Sequence, residues 1–230
     1  MNPLKSLDVG GRIPPLLQGL CRVFWPGTTW SVAGSDAVHL TFDDGPDPEV
    51  TPWVLDMLAQ HGAKATFFVV GDQAAKHPDI LEAVKKAGHV VGGHTMRHEL
   101  GWRTDTTPYV QSALASIDGL QPLFRPPYGK MTPAQARRIG AHADLIMWDV
   151  LSGDFALDAQ HAQHAQEVAK AQARLQRRTR PGSVVVFHDS AKHAAGLKAL
   201  LPDYLAWLSR KGLPMRAISP CPTRRLPEGA

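Results

Sequence analysis

Short apolar runs alternate along the chain with longer segments in which apolar residues recur at helical spacing. The apolar runs have the length of strands and are rich in Val, Ile, Leu and Phe, so each of them predicts a buried strand. The seven predicted strands are Val38–Phe42, Ala65–Val70, His89–Gly92, Leu123–Arg125, Asp144–Asp149, Ser183–Phe187 and Met215–Ile218.

Amphipathic segments separate these strands and predict six helices. Pro48 suits the first turn of the first helix, and Gly88 follows the second helix as a C-terminal cap does. Thr132 and Asp158 are residue types that favour the N-terminal cap position. The predicted helices are Pro48–Gln60, Gln73–Ala87, Thr107–Asp118, Thr132–Ile139, Asp158–Gln176 and Ala194–Lys211.

This alternation predicts an α/β fold whose parallel sheet closes, or nearly closes, into a barrel. Polar residues of chemical interest lie at or after the C-terminal ends of these strands, where (β/α) barrels assemble their active sites. They are Asp43 and Asp44 (first strand), His94 (third), Arg125 (fourth), Asp149 and Asp154 (fifth), and His188 and Asp189 (sixth). We therefore expect one shared site at the C-terminal strand ends.

The composition is that of a globular protein with a full core, since 43% of the 230 residues are hydrophobic and 20% are charged. The length fits one domain of barrel size or two small ones. The net charge is +4, and much of the excess lies in Arg174–Arg180 and Arg224–Arg225. Neither segment belongs to a recognisable nucleic-acid-binding module, so we expect a solvated surface and no nucleic-acid partner.

The two cysteines, Cys21 and Cys221, lie near opposite ends of the chain. No C-x-x-C pair exists, which excludes a structural zinc knuckle. The sequence leaves open whether the two thiols form one disulfide or stay free and buried.

The first residues do not resemble a secretory leader, because glycines and prolines between Gly10 and Pro15 interrupt any apolar stretch. No run approaches the roughly 20 apolar residues that span a bilayer. The apolar segment Leu16–Trp25 could lie on a membrane surface or pack over the bottom of the barrel. We therefore expect a leaderless protein, cytoplasmic or peripheral at the membrane.

Two histidines four residues apart, His94 and His98, can bind one metal ion if they share a side of a helical turn. Because the chain has 11 histidines, this spacing alone is weak evidence. The adjacent acids Asp43 and Asp44 strengthen it, since like charges at one strand end repel unless a cation binds one of them. Two histidines and one carboxylate leave coordination positions open, which indicates a catalytic site.

We assign Asp44 as the carboxylate ligand and Asp43 as the base that takes a proton from the attacking water. Gly92 and Gly93, directly before the histidines, are expected to let the chain turn tightly out of its strand. The alternative for residues 43–46 is an ordinary turn, which explains the glycine and the proline but not two acids after a buried strand.

Arg125 precedes two prolines and Tyr128, and it could hold a catalytic carboxylate in its ionised form by a bidentate contact. A backbone N–H beside Tyr128 could stabilise the oxyanion that forms when a carbonyl is attacked. A rigid loop with a surface arginine explains this segment equally well.

His188 could protonate the leaving group, with Asp154 raising the pKa of its imidazole, and a capping pair of His188 and Asp189 is the alternative.

The clusters occur in the order of the motifs of the polysaccharide deacetylase family (carbohydrate esterase family 4, the NodB homology domain), which the chain resembles over residues 37–220. Residues 41–44 (TFDD) resemble the first motif, which implies Asp43 as catalytic base and Asp44 as metal ligand. Residues 94–98 (HTMRH) resemble the second motif, which implies His94 and His98 as metal ligands.

Residues 125–128 (RPPY) are similar to the third motif, which lines the substrate groove. The resemblance implies that Arg125 orients the base and that Pro127 and Tyr128 contact the substrate or the oxyanion. Residues 186–188 (VFH) resemble the fifth motif, which implies His188 as the general acid.

The fourth motif departs from the family pattern of two acids and a tryptophan, D-x-x-D-W. Asp154 matches the second acid, Phe155 replaces the tryptophan, and Leu151 occupies the position of the first acid. Because Asp154 can still tether His188, the expected mechanism survives. The groove wall that this segment forms is expected to differ, so the resemblance does not name the sugar.

The resemblance implies a distorted (β/α) barrel of about seven parallel strands over residues 37–220, with an N-terminal extension (1–36) packed on it and a C-terminal tail (221–230). It also implies one divalent metal ion, zinc before cobalt, nickel or manganese. The implied reaction is hydrolytic removal of an N-linked acetyl or similar acyl group from an amino sugar. The candidate substrates are peptidoglycan, chitin oligomers, exopolysaccharide and a lipid-linked sugar.

Three other functions stay open at this point. A non-haem iron oxygenase also uses two histidines and a carboxylate, but it leaves Asp43, Arg125 and His188 without roles. A catalytically silent carbohydrate-binding barrel would be expected to lack Asp43, His94, His98 or His188, all of which are present. A metal-independent amidohydrolase on the same barrel has no use for the complete set of ligands.

Overall fold

The computed structural model describes residues 27–157 and 164–220. Within them, eight strands form one sheet: β1 (Thr28–Thr29), β2 (His39–Asp43), β3 (Thr66–Val69), β4 (Val90–Gly93), β5 (Leu123–Phe124), β6 (Asp144–Ile146), β7 (Val150–Leu151) and β8 (Val184–His188). The strand order is β1-β6-β5-β4-β3-β2-β8-β7, and every neighbouring pair is parallel. The sheet is curled into a distorted, incomplete barrel, as the sequence predicts.

Helices connect the strands. In the described ranges they are α1 (Val50–Gln60), α2 (Gly71–Lys76), α3 (Pro78–Lys86), α4 (Thr106–Ser116), α5 (Pro133–Ile139), α6 (His164–Arg178) and α7 (Ala194–Arg210). Short 3-10 turns lie between them at Gly101–Arg103, Pro127–Gly129, Asp154–Ala156 and Ala191–His193.

The central strands are rich in apolar residues because they are buried on both faces, as parallel strands covered by helices are. All five residues of β2 are buried. The Phe42 ring stacks on Phe67 of β3 at 5.0 Å and on Phe187 of β8 at 5.9 Å between ring centroids. Tyr204 of α7 packs on Phe187 at 5.8 Å, which joins this helix to the same core.

The register of the central strands brings their carboxyl ends to one edge of the sheet. Asp43, the last residue of β2, is paired with Phe68 of β3 and with His188, the last residue of β8. Val69 of β3 is paired with Gly93, the last residue of β4. Residues that follow these strands are therefore neighbours in space although they are far apart in the sequence.

The elements differ from the prediction in four places. The sequence pattern does not predict β1 and β7, which have two residues each. The predicted strand Met215–Ile218 is wrong, because this segment forms only an isolated bridge to Val38. The predicted helix Gln73–Ala87 is two helices, because Pro78 begins α3 and the residue before a proline disfavours helical geometry.

The predicted strand Asp144–Asp149 is also divided, since β6 ends at Ile146 and β7 begins at Val150. Asp149 thereby lies at the N-terminal end of β7, where its Oδ1 accepts the backbone N–H of Val184 at 2.8 Å. Burial raises the pKa of Asp149 to about 6. Grouping Asp149 with the site residues is therefore wrong, because it lies at the opposite end of the sheet.

Thr132 caps α5 as the sequence predicts. Its Oγ1 accepts the backbone N–H of Gln135 at 3.3 Å, and Gln135 Oε1 accepts the backbone N–H of Thr132 at 2.7 Å. Asp158, Leu16–Trp25 and both cysteines lie outside the described residues, so what the sequence predicts for them stays a prediction. No described helix has the length and apolar content that a bilayer crossing requires.

Candidate metal site and catalytic cleft

The two adjacent acids occupy different environments. β2 ends at Asp43, and Asp44 leaves the strand with a φ of 77°, a conformation that is uncommon outside glycine. Asp43 is buried against Arg125, whereas Asp44 is partly exposed and faces two histidines. Gly45 follows because a Cβ at this position would collide with the carboxylate of Asp189. The backbone thus separates two carboxylates that the sequence places side by side.

His94 and His98 lie in a loop after β4. The prediction that they share a helical turn is wrong, because residues 94–98 are not helical and Thr95 and His98 have left-handed φ angles of 63° and 59°. Both imidazoles nevertheless reach Asp44, with His98 Nε2 at 3.1 Å and His94 Nε2 at 3.6 Å from Asp44 Oδ1. Left-handed backbone at non-glycine residues is costly and clusters at functional sites.

The two glycines before His94 serve close packing, not the expected turn. Both lie inside β4. A Cβ on Gly92 would collide with the carbonyl of Leu123 in β5, and one on Gly93 would collide with Ser116 at the end of α4. The glycines therefore let β5 and α4 approach the strand that carries the first histidine.

The protonation states of His94 and Asp44 suit metal binding. His94 Nδ1 lies 2.8 Å from the backbone carbonyl oxygen of Arg125, to which it donates in the tautomer that leaves Nε2 free to bind a metal. Burial lowers the pKa of His94, which favours this neutral form. For Asp44, the effect of burial is outweighed by the nearby His98 and His94, which hold the pKa of its carboxyl well below the usual range.

The predicted ligands Asp44, His94 and His98 are brought together. Their ligand atoms lie within 4.8 Å of one another, and as a group they could hold a metal ion. Asp44 Oδ1 is buried and, although His98 Nε2 lies 3.1 Å away, it accepts no well-aligned hydrogen bond in the described part of the chain. A divalent cation between this oxygen and the two imidazole nitrogens would satisfy it, and two nitrogens with one oxygen suit a zinc-type catalytic ion. The residues present therefore fit the implied metal.

Arg125 is fully buried and uses its guanidinium to hold Asp43. Its Nη1 donates to Asp43 Oδ1 at 2.7 Å and to Thr41 Oγ1 at 2.6 Å. Its Nε and Nη2 donate to the carbonyls of Ile146 and Met147 at 3.1 and 2.9 Å. The contact with Asp43 therefore runs through one nitrogen, so the predicted bidentate contact is wrong. The alternative interpretation, a rigid loop with a surface arginine, is also wrong because Arg125 is buried.

His188 and Asp154 form the second charged pair of the cleft. His188 Nδ1 lies 3.0 Å from Asp154 Oδ1, and the backbone N–H of His188 donates to Asp154 Oδ2 at 2.8 Å. Ser152 Oγ also donates to Asp154 Oδ1, at 2.7 Å. Burial lowers the pKa of His188, but the charge and hydrogen bond of Asp154 outweigh it and raise this pKa to about 9. This pKa favours the cationic form of His188 at neutral pH.

Three large aromatic side chains are exposed in the described ranges: Tyr128 at 58%, Trp102 at 45% and Phe155 at 39%. The Tyr128 ring meets the edge of His98 at 4.6 Å, and the Phe155 ring meets His188 at 5.6 Å. Tyr128 has a left-handed φ of 58°, and Pro127 beside it is buried. Two of the exposed aromatic residues thus flank the cleft, one beside a candidate ligand and one beside the second charged pair.

Sequence reasoning missed His193. Its Nε2 lies 3.9 Å from Asp44 Oδ2, and its ring centroid lies 5.1 Å from that of His188. Its position in the sequence does not indicate the site, because it lies beyond the last motif and reaches the cleft only through the path of its loop.

The carboxylate of Asp189 is buried and is bound by Thr51. Its Oδ2 accepts a hydrogen bond from Thr51 Oγ1 at 2.6 Å, and burial raises its pKa well above the usual range.

The chain is similar in sequence to several known proteins. A family model described as "Polysaccharide deacetylase" matches residues 32–148. A peptidoglycan-N-acetylglucosamine deacetylase of Bacillus cereus is 38% identical over 126 residues, 51% of this chain and 46% of the relative, so the match spans less than half of that protein. A second one from the same organism is 31% identical over 196 residues, 80% of this chain and 87% of the relative. A chitooligosaccharide deacetylase of Bradyrhizobium sp. is 32% identical over 169 residues, 69% and 73% of the two chains.

A solved structure is similar over nearly the whole chain. It is a peptidoglycan N-acetylglucosamine deacetylase in complex with 4-naphthalen-1-yl-N-oxidanyl-benzamide, with a TM-score of 0.76 and 26% sequence identity. The similarity covers 90% of this chain and 95% of that one.

Proposed function

The chain belongs to the polysaccharide deacetylase family, and we propose that it hydrolyses an N-linked acetyl or similar acyl group from an amino sugar with the help of one divalent metal ion, zinc before cobalt, nickel or manganese. The observation that carries the proposal is the meeting of one group of three residues and two pairs within one cleft. Asp44 faces the two histidines, Asp43 is held by Arg125, and His188 is held by Asp154.

Asp44, His94 and His98 would hold the metal ion. When bound, such an ion acidifies water and polarises the acyl carbonyl. Asp43 is the proposed general base, which takes a proton from the water that attacks the acyl carbon. Arg125 fixes the position of Asp43 through the 2.7 Å contact, so the base is oriented before the substrate binds.

His188 is the proposed general acid. It is cationic at neutral pH because Asp154 raises its pKa to about 9 against the effect of burial. It can therefore donate the proton that the amine of the sugar needs as the bond between nitrogen and the acyl carbon breaks. Asp43 and His188 are paired across β2 and β8, which supports their action on the same bond.

The Tyr128 N–H is the proposed donor to the oxyanion that forms during attack. The neighbouring N–H groups of Gly129 and Lys130 are used inside the turn, where they donate to the carbonyls of Pro126 and Pro127 at 2.9 and 3.1 Å. The left-handed φ of 58° at Tyr128 supports the assignment, since backbone strain of this kind is retained where it serves a function.

We propose that the exposed aromatic residues contact the sugar. Tyr128 and Phe155 lie beside His98 and His188, and Pro127 adjoins Tyr128. We place Trp102 farther along the same groove because it contacts the segment that follows Tyr128. The Trp102 ring is held by a hydrogen bond from its Nε1 to the carbonyl of Met131 at 3.1 Å, and Lys130 Nζ lies 5.4 Å from the ring centroid. An open rim with fixed aromatic faces suits an oligomer or polymer better than a single sugar.

The relatives that deacetylate peptidoglycan and chitooligosaccharides support these two polymers as the substrates to test first. The experiment measures acetate release from peptidoglycan fragments and from chitopentaose by the purified chain, supplied with zinc or cobalt. Release from either substrate supports N-deacetylation and ranks the polymers. A zinc-loaded chain that releases no acetate from either, nor from lipid-linked N-acyl sugars, is the silent carbohydrate-binding barrel.

A further inference from the structure

His193 is a third imidazole in the cleft, in addition to the two that face the metal position. It ends the turn Ala191–His193, directly before α7 begins. Its side chain is 11% exposed, and its Nε2 lies 3.9 Å from Asp44 Oδ2. Its ring packs beside His188 with 5.1 Å between the centroids. His193 is therefore enclosed in the site and faces the Asp44 carboxylate. The proposed chemistry gives His193 no role.

The two oxygens of the Asp44 carboxylate face different partners. Oδ1 lies 3.1 Å from His98 Nε2 and 3.6 Å from His94 Nε2. Oδ2 faces His193 at 3.9 Å. A carboxylate that binds a metal through one oxygen is commonly oriented by an outer hydrogen bond to the other, and loss of such a partner weakens metal binding. His193 lies beside Oδ2, where such an outer hydrogen-bond partner would be found.

The loop that carries His193 is fastened to the loop that carries Asp44. Asp47 Oδ2 accepts the backbone N–H of Ala191 at 3.0 Å. The backbone N–H of Asp189 donates to the carbonyl of Asp43 at 3.0 Å. These contacts lie on both sides of Asp44 and hold the two loops as one unit. These contacts fix the backbone of the loop that carries His193 relative to the loop that carries Asp44.

We propose that His193 is a positioning residue for the metal-binding carboxylate: its Nε2–H binds Asp44 Oδ2 and keeps Oδ1 directed at the metal. At 3.9 Å the two atoms are too far apart for a direct hydrogen bond, so a bridging water or a shift of the side chain closes the contact. The inference rests on the metal site of the proposed function, but not on the identity of the substrate. A role for His193 in binding the sugar is the competing account.

The test compares His193→Ala, His193→Gln and His142→Ala with the unchanged chain. Glutamine keeps an N–H donor at the end of its side chain, whereas alanine removes it. His142 is exposed on the surface after α5 and serves as the matched histidine control. Zinc affinity is measured by competition with a chromophoric chelator, and the cobalt-loaded variants are compared by their visible absorption spectra. A thermal unfolding curve of each variant shows that it is folded.

For His193→Ala we expect zinc affinity to fall by about tenfold or more and the cobalt spectrum to change, as loss of an outer partner does. His193→Gln should recover most of the affinity, and His142→Ala should match the unchanged chain. Unchanged zinc affinity and an unchanged cobalt spectrum in His193→Ala would overturn the proposal. If KM for the sugar substrate also rose in this variant, His193 would be assigned to sugar binding. Affinity and spectrum need no substrate, so this result stands even if the chain releases no acetate.

Discussion

Arg125 Nη1 and Asp43 Oδ1 lie 2.7 Å apart in a site where the arginine side chain is fully buried and the aspartate 5% exposed. A buried ion pair of this kind costs desolvation, and removing one partner leaves the other charge uncompensated. The fold accepts this cost at the C-terminal end of β2, beside the group of candidate metal ligands. The pair therefore links the stability of the site to its chemistry.

The first prediction concerns this pair. Arg125→Met should destabilise the protein by about 3–5 kcal/mol, because Asp43 is left buried without its counter-charge. Arg125→Met,Asp43→Asn should recover part of this loss, since neither charge remains. Thermal or urea unfolding of the two variants measures the difference. Equal stability of both would show that the ion pair does not hold the site together.

The second prediction separates the base from the ligands. Asp43→Asn should keep its bound metal and lose turnover by a factor of about 10²–10⁴, because the amide cannot accept the proton of the attacking water. His94→Ala should instead lose the metal, since Nε2 of this residue faces Asp44 Oδ1. Metal content after gel filtration, together with kcat, measures both. Full turnover of Asp43→Asn would remove Asp43 from its assigned role.

The third prediction concerns the pH profile. His188 acts in its protonated form, so activity should be present below its pKa of about 9 and be lost as the pH rises through it. Asp154→Asn removes the largest of the charges that raise this pKa, and burial, which lowers it, is then opposed only by the weaker effects of Asp43 and Asp44. The alkaline limb of kcat/KM should therefore move to lower pH, towards the ordinary histidine value of about 6.5 or below.

Ser152→Ala is the matched control for this shift. It removes the hydroxyl that donates to Asp154 Oδ1 at 2.7 Å but keeps the charge, so its alkaline limb should stay near that of the unchanged chain. Both profiles are recorded with the metal at saturation. An unmoved limb in Asp154→Asn would mean that another group is the acid.

The fourth prediction concerns the exposed rim. Trp102→Ala should raise KM for chitopentaose by roughly tenfold or less and leave kcat unchanged, because the proposed role of the ring is contact with a sugar distant from the reacting bond. The same substitution should not affect a disaccharide too short to reach it. Steady-state kinetics on both substrates test this, and an equal effect on both would place Trp102 outside the groove.

Much of the fold and site can be predicted from the sequence, because polar residues interrupt the apolar pattern at strand ends. Asp44, His94 and His98 were expected at one edge, and the parallel register brings them there. The pairing of His188 with Asp154 likewise follows from acids and histidines placed after neighbouring strands. These features depend on strand order and register, which the periodicity of the sequence largely encodes.

Other features have no sequence signal. Two-residue strands such as β7 carry no periodicity, so Asp149 looks like a C-terminal strand end although it lies at the opposite end of the sheet. The spacing of His94 and His98 fits a helix as well as the loop that exists, since both bring the imidazoles together. His193 enters the site through contacts between two loops that are more than a hundred residues apart, such as Asp47 with Ala191.

One measurement tests the central claim most directly: acetate release by the purified chain before chelation, after chelation and after stoichiometric zinc is returned, beside Asp44→Asn treated in the same way. The account predicts that chelation abolishes release, that zinc restores it in the unchanged chain, and that the variant recovers neither metal nor activity. Release that persists in the fully chelated chain would contradict the account and point to a metal-independent amidohydrolase on the same barrel.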